Sequence, residues 1–425
     1  MQTATWYEWL ACGSVAAAAV LPGERSRKWA ACVGLGGIAA SWLPGSAREF
    51  LLPAAVGGLA VLALAGRGGR LGRCGRPAAI GGALLSVGLC WLFPQPEIRL
   101  QGRFGVGTTS FEIPAEGDAP RLLVQVWYPS DQSGGDSPWL ADPELVPRFP
   151  FQRMAKARLP IGEGLPVATS SGKLKVVFYE HSWTGHRAEN LGQVAEMVSH
   201  GLVVVAVDHP GQAGRVRYAD GSVVTTGLPA EPDLTSEAKV GEFLALAEKC
   251  LAERGRNIER VLAALRGGRG GQVTAQAELR RVGVFGFSFG GSNALRLCAR
   301  SPDFVAGANE DGLYLGDEAP RGPFHFFDSE MPGWLLGAPD PDETAEQGMI
   351  RKAEARVQKA MELPDRSRDV MNDVYHMGFS DAIFRSRLQR IAGTGRGIFR
   401  DLHEEMAWHL AVFFEEVLGE GGQRR

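Results

Sequence analysis

The segment from Arg281 to Arg300, RVGVFGFSFGGSNALRLCAR, constrains this chain more than any other. Val282–Phe285 is an apolar run of strand character, and Ser292–Arg300 has the spacing of a helix. Between them, Gly286-Phe287-Ser288-Phe289-Gly290-Gly291 places a serine at a sharp strand-to-helix turn. A serine held there needs neighbours without Cβ atoms, so that strand and helix can approach closely. The amino terminus of the following helix sets partial positive charge beside it. The GxSxG pattern alone decides little, because 56 glycines in the chain yield about 0.4 matches by chance. The strand before it and the helix after it give it meaning.

The same alternation runs through residues 96–425. Leu122–Tyr128 reads as a strand closed by Pro129, and Asp131–Pro150 as a polar surface excursion. Lys175–Glu180 and Leu202–Val207 are continuous apolar runs of the kind buried on both faces. A helix over Ala188–His200, ended by Gly201, separates them. Phe243, Ala247, Leu251, Ile258, Val261, Leu262 and Leu265 recur at helical spacing. After the serine turn come strands at Phe304–Asn309 and Pro323–Phe327, a helix over Glu343–Met361 and an amphipathic closing helix over Arg400–Leu418. This alternation predicts an α/β fold, a mostly parallel sheet covered by helices on both faces.

Residues 1–95 have a different composition. Four Ala-, Gly- and Leu-rich stretches, Thr5–Leu21, Trp29–Leu43, Phe50–Ala65 and Pro77–Phe93, are separated by breaks at Pro22-Gly23, Pro44-Gly45 and Gly66–Arg76. Each runs about 15–17 residues, with Trp6, Tyr7, Trp9, Trp29, Trp42 and Trp91 near the ends. A secretory signal accounts for one apolar segment, not four. The expectation is an all-helical region of about four short transmembrane helices in front of the α/β body. Arg25, Arg27 and Lys28 lie in the loop Pro22–Lys28 and Arg67, Arg70, Arg73 and Arg76 in the loop Gly66–Arg76, against Arg48, offset by Glu49, in the loop between. The positive-inside tendency then predicts a multi-pass membrane protein whose catalytic domain is extracytoplasmic.

The net charge of −3 supplies no field for polyanions, which argues against nucleic-acid binding. Six cysteines form no CxxC pair and no metal-type spacing, so neither a metal nor a cofactor is expected. Cys250 and Cys298 are open to pairing or to remaining buried thiols.

A serine at a strand–turn–helix elbow is the nucleophile position of the α/β-hydrolase fold, whose triad follows the order Ser, acid, His. Four histidines come after Ser288. His325 lies within the apolar PFHFF run, and His403 and His409 lie in the closing helix. His376, in the loop-like DVYHMGFSD, is the expected base. Spacing leaves two acids, Asp311 after one strand and Asp328 after the next. The oxyanion hole of this fold combines the amide after the nucleophile, that of Phe289, with one from the loop His181-Ser182-Trp183-Thr184-Gly185-His186.

Together the VQVWYP, YEHSWTGHR, SHGLVVVAVDHP, GFSFGG, NEDGLYLG, FFDSE and HMGFSD segments, spread over Val124–Phe384, resemble the plasma-type platelet-activating-factor acetylhydrolases and their bacterial relatives. The resemblance implies that Asp311, in the NEDGLYLG segment, is the acid, and that the Trp183 amide is the second oxyanion donor. SWTG departs from the glycine-rich turn usual there. The implied activity is a serine esterase acting through an acyl-enzyme on short or oxidised acyl chains of phospholipids, with a membrane as partner. A cutinase-type polyester or lipid esterase and an acyltransferase use the same machinery. A membrane-anchored binding protein with a degenerate hydrolase body is the alternative of another class, and it has no use for nucleophile, acid and base in order.

Overall fold

Valine-rich runs form the centre of the larger part of the molecule. The computed structural model describes residues 6–21, 24–40, 51–64, 69–142, 144–145, 151, 154, 157–169, 172–338, 340–396 and 402–419. The chain divides into two units, the larger comprising Arg99–Leu145, Leu159–Ile383 and Gly393–Arg425. Its main sheet has nine strands: β1 Gly105–Ile113, β2 Leu122–Ser130, β3 Ile161–Glu163, β4 Leu174–Glu180, β5 Val203–Asp208, β6 Ala277–Phe287, β7 Phe304–Glu310, β8 Phe324–Ser329 and β9 Arg366–Met371. Their spatial order is β9-β8-β7-β6-β4-β5-β2-β1-β3. β2 runs antiparallel to both β1 and β5, and the pairs from β5 across to β9 are parallel.

Every residue of β5 is buried, and so are six of the seven in β4. Each fully buried valine contributes about 1.5–3 kcal/mol, and β-branched side chains fit a strand covered on both faces. The two faces are built from alternate residues. Val282 and Val284 of β6 share a core with Ile258, Val261 and Leu262 of helix α6 (Glu237–Arg266), Leu295 of α7 (Phe289–Arg300) and Val357 of α8 (Ala345–Met361). On the opposite face Phe285 meets Phe414 of α9 (Leu402–Val417), with ring centroids 6.4 Å apart. Helix α5 (Leu191–Ser199) links β4 to β5 and packs against α9. The crossover after β4 leads to β5 on one side of it, and the crossover after β5 returns past β4 to β6 on the other, so the strand order reverses at the β4–β6 boundary. In open α/β sheets the crevice at the carboxyl ends of such strands is where ligands bind.

The smaller unit comprises Met1–Ile98, Val146–Arg158 and Phe384–Ala392. Its helices are α1 Trp6–Val20, α2 Glu24–Ala40, α3 Leu52–Leu64 and α4 Gly69–Leu92. Small residues such as Ala11, Ala31, Ala54 and Ala79 face inward, while Trp29, Val56, Leu59 and Leu84 are exposed. Close approach explains the glycine at 82, where a Cβ would stand 2.1 Å from the Pro53 carbonyl oxygen. The carboxyl end of α4 is closed by the Arg387 amide and the Ser386 hydroxyl, which donate to Leu92 O at 2.9 and 3.0 Å.

These helices correct the expected transmembrane region and, with it, the multi-pass, extracytoplasmic location. Among the described residues no helix is long and apolar enough to cross a membrane. The first three have 15, 17 and 13 residues, which rise about 20–26 Å against a hydrocarbon thickness of about 30 Å. α4 has 24 residues, but Arg70, Arg73 and Arg76 occupy its first third and Pro77 follows them. The expected breaks at Pro22-Gly23 and Pro44-Gly45, together with Trp42, Arg48, Glu49, Arg67 and Arg400, lie outside the described residues.

Candidate active site

Ser288 follows the last residue of β6 and caps α7 with φ 57° and ψ −121°, a region that costs a non-glycine residue about 1–3 kcal/mol. Three hydrogen bonds hold it there. Its amide donates to Glu310 O at 2.8 Å, and its carbonyl accepts from Gly291 N at 2.9 Å and Ser292 N at 3.3 Å. The glycines are sterically required. A Cβ at Gly290 would lie 2.0 Å from Glu180 O, and one at Gly291 would lie 1.7 Å from Asn309 Oδ1.

Asp311 follows β7 and is also held at positive φ, 55°. The buried Asn309 side chain closes its turn, donating to Gly312 O at 2.8 Å and accepting from Gly312 N at 2.9 Å. One carboxylate oxygen of Asp311 accepts from Ser329 N at 2.7 Å, and the other lies 2.7 Å from His376 Nδ1. His376 Nε2 is 3.0 Å from Ser288 Oγ. A carboxylate at Nδ1 selects the tautomer that leaves the Nε2 lone pair facing the hydroxyl. The imidazole also packs on Phe287, with ring centroids 4.9 Å apart, and its side chain is 48% exposed at the cleft. This line of Oγ, imidazole and carboxylate can deprotonate the serine as it attacks an electrophile.

The structure brings Ser288, His376 and Asp311 together and takes Asp328 elsewhere. Asp328 accepts from Arg368 Nε at 2.6 Å, and the same guanidinium is bidentate to Glu354 at 2.8 and 2.7 Å. Burial raises the Asp328 carboxyl to about 6 against the opposing pull of Arg368. His325 sits in β8, 2.7 Å from Ser367 Oγ, and His403 in α9 lies 3.1 Å from Asp381. Cys250 and Cys298 are buried and form no disulfide.

Phe289 and Trp183 flank the serine. Their rings meet edge to face with centroids 4.8 Å apart, and Trp183 Nε1 donates to Pro229 O at 2.9 Å. Among the described residues neither the Phe289 nor the Trp183 amide has a backbone acceptor. The Trp183 loop is anchored by Glu189, which accepts from Ser182 N at 2.9 Å and Ser182 Oγ at 2.7 Å. Ser288, His376, Asp311, Phe289 and Trp183 line one cleft of about 830 Å³ at the carboxyl ends of β4, β6, β7 and β8. Phe243, Leu313, Leu315 and Met349 give it an apolar wall, and the segment Met331–Leu335 covers another side. Arg351 ties that segment down, donating to Trp334 O at 2.9 Å and Gly337 O at 3.0 Å.

Behind the serine turn the side chains are polar and buried. Glu180 accepts from Asn293 Nδ2 at 2.8 Å and lies 3.0 Å from His209 Nε2. Glu310, at the end of β7, is fully buried, accepts from Gln193 and Asn190, and is raised to about 8 by that burial. The folded chain therefore keeps a proton on Glu310 that the unfolded chain releases near 4.5. Its contribution is full below pH 4.5 and is lost as pH rises through about 8. Urea midpoints measured from pH 5 to 9 should accordingly fall less steeply in Glu310→Gln than in the parent chain. Parallel pH dependences would show that Glu310 is not the titrating group.

The strand order, one antiparallel strand next to an edge pair and a serine at a positive-φ strand-to-helix turn together define an α/β-hydrolase fold. A ferulic acid esterase from Streptomyces cinnamoneus is similar in structure, with 18% sequence identity, a TM-score of 0.55, and coverage of 76% of this chain and 92% of that one. A dienelactone hydrolase-like promiscuous phosphotriesterase from metagenomic libraries is aligned at 14% identity and a TM-score of 0.39, over 73% of this chain and 98% of that one. No protein-family model matches the chain, and no curated protein matches it in sequence.

Proposed function

We propose that this chain is a serine hydrolase that cleaves carboxylic esters through an acyl-enzyme. The observation that carries the reading is the line Ser288 Oγ–His376–Asp311, with separations of 3.0 and 2.7 Å, at the wall of the cleft. His376 takes the proton of Ser288 as Oγ attacks the ester carbonyl, and the amides of Phe289 and Trp183 hold the oxyanion. His376 then returns the proton to the departing alcohol, and a water activated by the same base releases the acid.

The acyl group proposed is short or oxidised, carried on a phospholipid, as the resemblance of NEDGLYLG, GFSFGG and HMGFSD to platelet-activating-factor acetylhydrolases implies. The apolar wall of Phe243, Leu313, Leu315 and Met349 is compatible with a lipid chain. The test is a panel of p-nitrophenyl esters of increasing chain length, set beside phosphatidylcholines with acetyl, oxidised and long sn-2 chains. Highest kcat/KM is expected on acetyl and oxidised chains. Equal or greater turnover of long unoxidised chains, or of polyesters, would replace the phospholipase reading with a cutinase-type one. Product appearing only when an alcohol acceptor is added would make the chain an acyltransferase.

A further inference from the structure

The buried side of the loop after β4 carries a charge that the mechanism above does not use. Arg254, on α6, has no exposed surface. Its Nη1 donates to His181 O at 2.6 Å, its Nη2 to Ser182 O at 3.0 Å and Trp183 O at 3.3 Å, and its Nε to Gln212 Oε1 at 2.9 Å. His181 Nδ1, 3.5 Å from Nη2, donates to the same Ser182 O at 2.8 Å. The guanidinium carbon stands 4.8 Å from the centroid of the Phe289 ring. Every one of these oxygen partners is an uncharged carbonyl, and three of them belong to consecutive residues. A buried cation satisfied in this way is costly to desolvate, and an aliphatic side chain would fill the position without that cost.

The Ser182 carbonyl and the Trp183 N–H belong to one peptide unit, and in a trans peptide they point in opposite directions. A guanidinium that takes the Ser182 oxygen from the core side therefore turns the Trp183 N–H away from the core. A charge-assisted bond on that oxygen also polarises the amide and strengthens its donor. The same cation sits on the ring of Phe289, whose amide is the other proposed donor. We infer that Arg254 is a positioning residue that aims and polarises the oxyanion-hole amides. The inference rests on the esterase reading.

The test uses the full chain with Arg254→Met and Arg254→Lys, p-nitrophenyl acetate as substrate, and labelling to completion with a fluorophosphonate to count active sites. In Arg254→Met, kcat per labelled site should fall about 10²-fold while KM stays within about threefold. Arg254→Lys keeps the charge but loses the planar fork, so it should fall less. In a Trp183→Pro background, which has no N–H at 183, Arg254→Lys should cost less than it does in the parent. A kcat per labelled site equal to the parent's in both arginine variants would overturn the inference, because a merely structural role lowers the number of sites and not their rate. If Arg254→Met does not fold, Arg254→Lys decides alone, and a kcat within about twofold of the parent overturns the inference. A parent chain that does not label, or a Ser288→Ala chain that does, shows instead that the esterase reading has failed and takes this inference with it.

Discussion

Ser288→Ala should abolish fluorophosphonate labelling and lower ester turnover by about 10³-fold or more, while the domain stays folded. The size of the effect follows from the position of Oγ, 3.0 Å from His376 Nε2. Without Oγ there is no acyl-enzyme, and the cleft retains only the proposed oxyanion donors and its apolar wall. The stability should change little. The strained φ of 57° is held by backbone bonds to Glu310, Gly291 and Ser292, which an alanine keeps. The side chain removed is small. A folded Ser288→Ala protein that still labels fully would remove the central proposal. Thermal melting beside the labelling assay separates that result from simple unfolding.

Asp311→Asn should cost about 10³–10⁴-fold in kcat, and Asp328→Asn less than about tenfold. Asparagine tolerates the positive φ of position 311, so the turn survives. What changes is the partner at His376 Nδ1, now 2.7 Å from an acceptor-only carboxylate. An amide there no longer selects the productive tautomer and no longer offsets the imidazolium charge. Asp328 touches Arg368 instead, at 2.6 Å, and Arg368 keeps its bidentate bond to Glu354 when Asp328 is changed. The second substitution should therefore appear in the melting temperature more than in the rate. Rates ranked the other way would mean that His376 takes its partner from the strand end of Asp328 in the working enzyme.

Much of this architecture was legible in the sequence because its causes are local. Continuous apolar runs such as VVVAV have no partner but a sheet covered on both faces, and the glycines of GFSFGG announce a turn where a Cβ has no room. The three outer strands were not legible. β1 (GVGTTSFEI) alternates weakly, β3 has three residues, and β9 (RSRDVM) is a polar edge strand, so hydrophobic period gives little signal for any of them. The amino-terminal region failed for a related reason. Composition distinguishes an apolar helix from a polar one, but it says little of where a helix starts and stops. The observed lengths of 15, 17 and 13 residues, and the arginines inside α4, leave no helix among the described residues long and apolar enough to cross a membrane.

Arg254 left a trace that periodicity reasoning passes over. Ala247, Leu251, Ile258, Val261 and Leu265 form the buried seam of α6, and position 254 falls on that seam between Leu251 and Ile258. A charge on a core seam has to be satisfied by something, but the sequence does not say by what. The sequence by itself determined the inner strands of the sheet, the serine turn and a shortlist of four functional side chains, because strand burial, glycine sterics and chain order are properties of neighbouring residues. It left Asp311 and Asp328 equal by spacing. The resemblance favoured Asp311, and the tertiary structure supplies the physical difference, since two carboxylates 17 positions apart at adjacent strand ends differ in what the fold sets against each. For Asp311 that is an imidazole from the loop after β9, and for Asp328 it is a guanidinium from β9 itself.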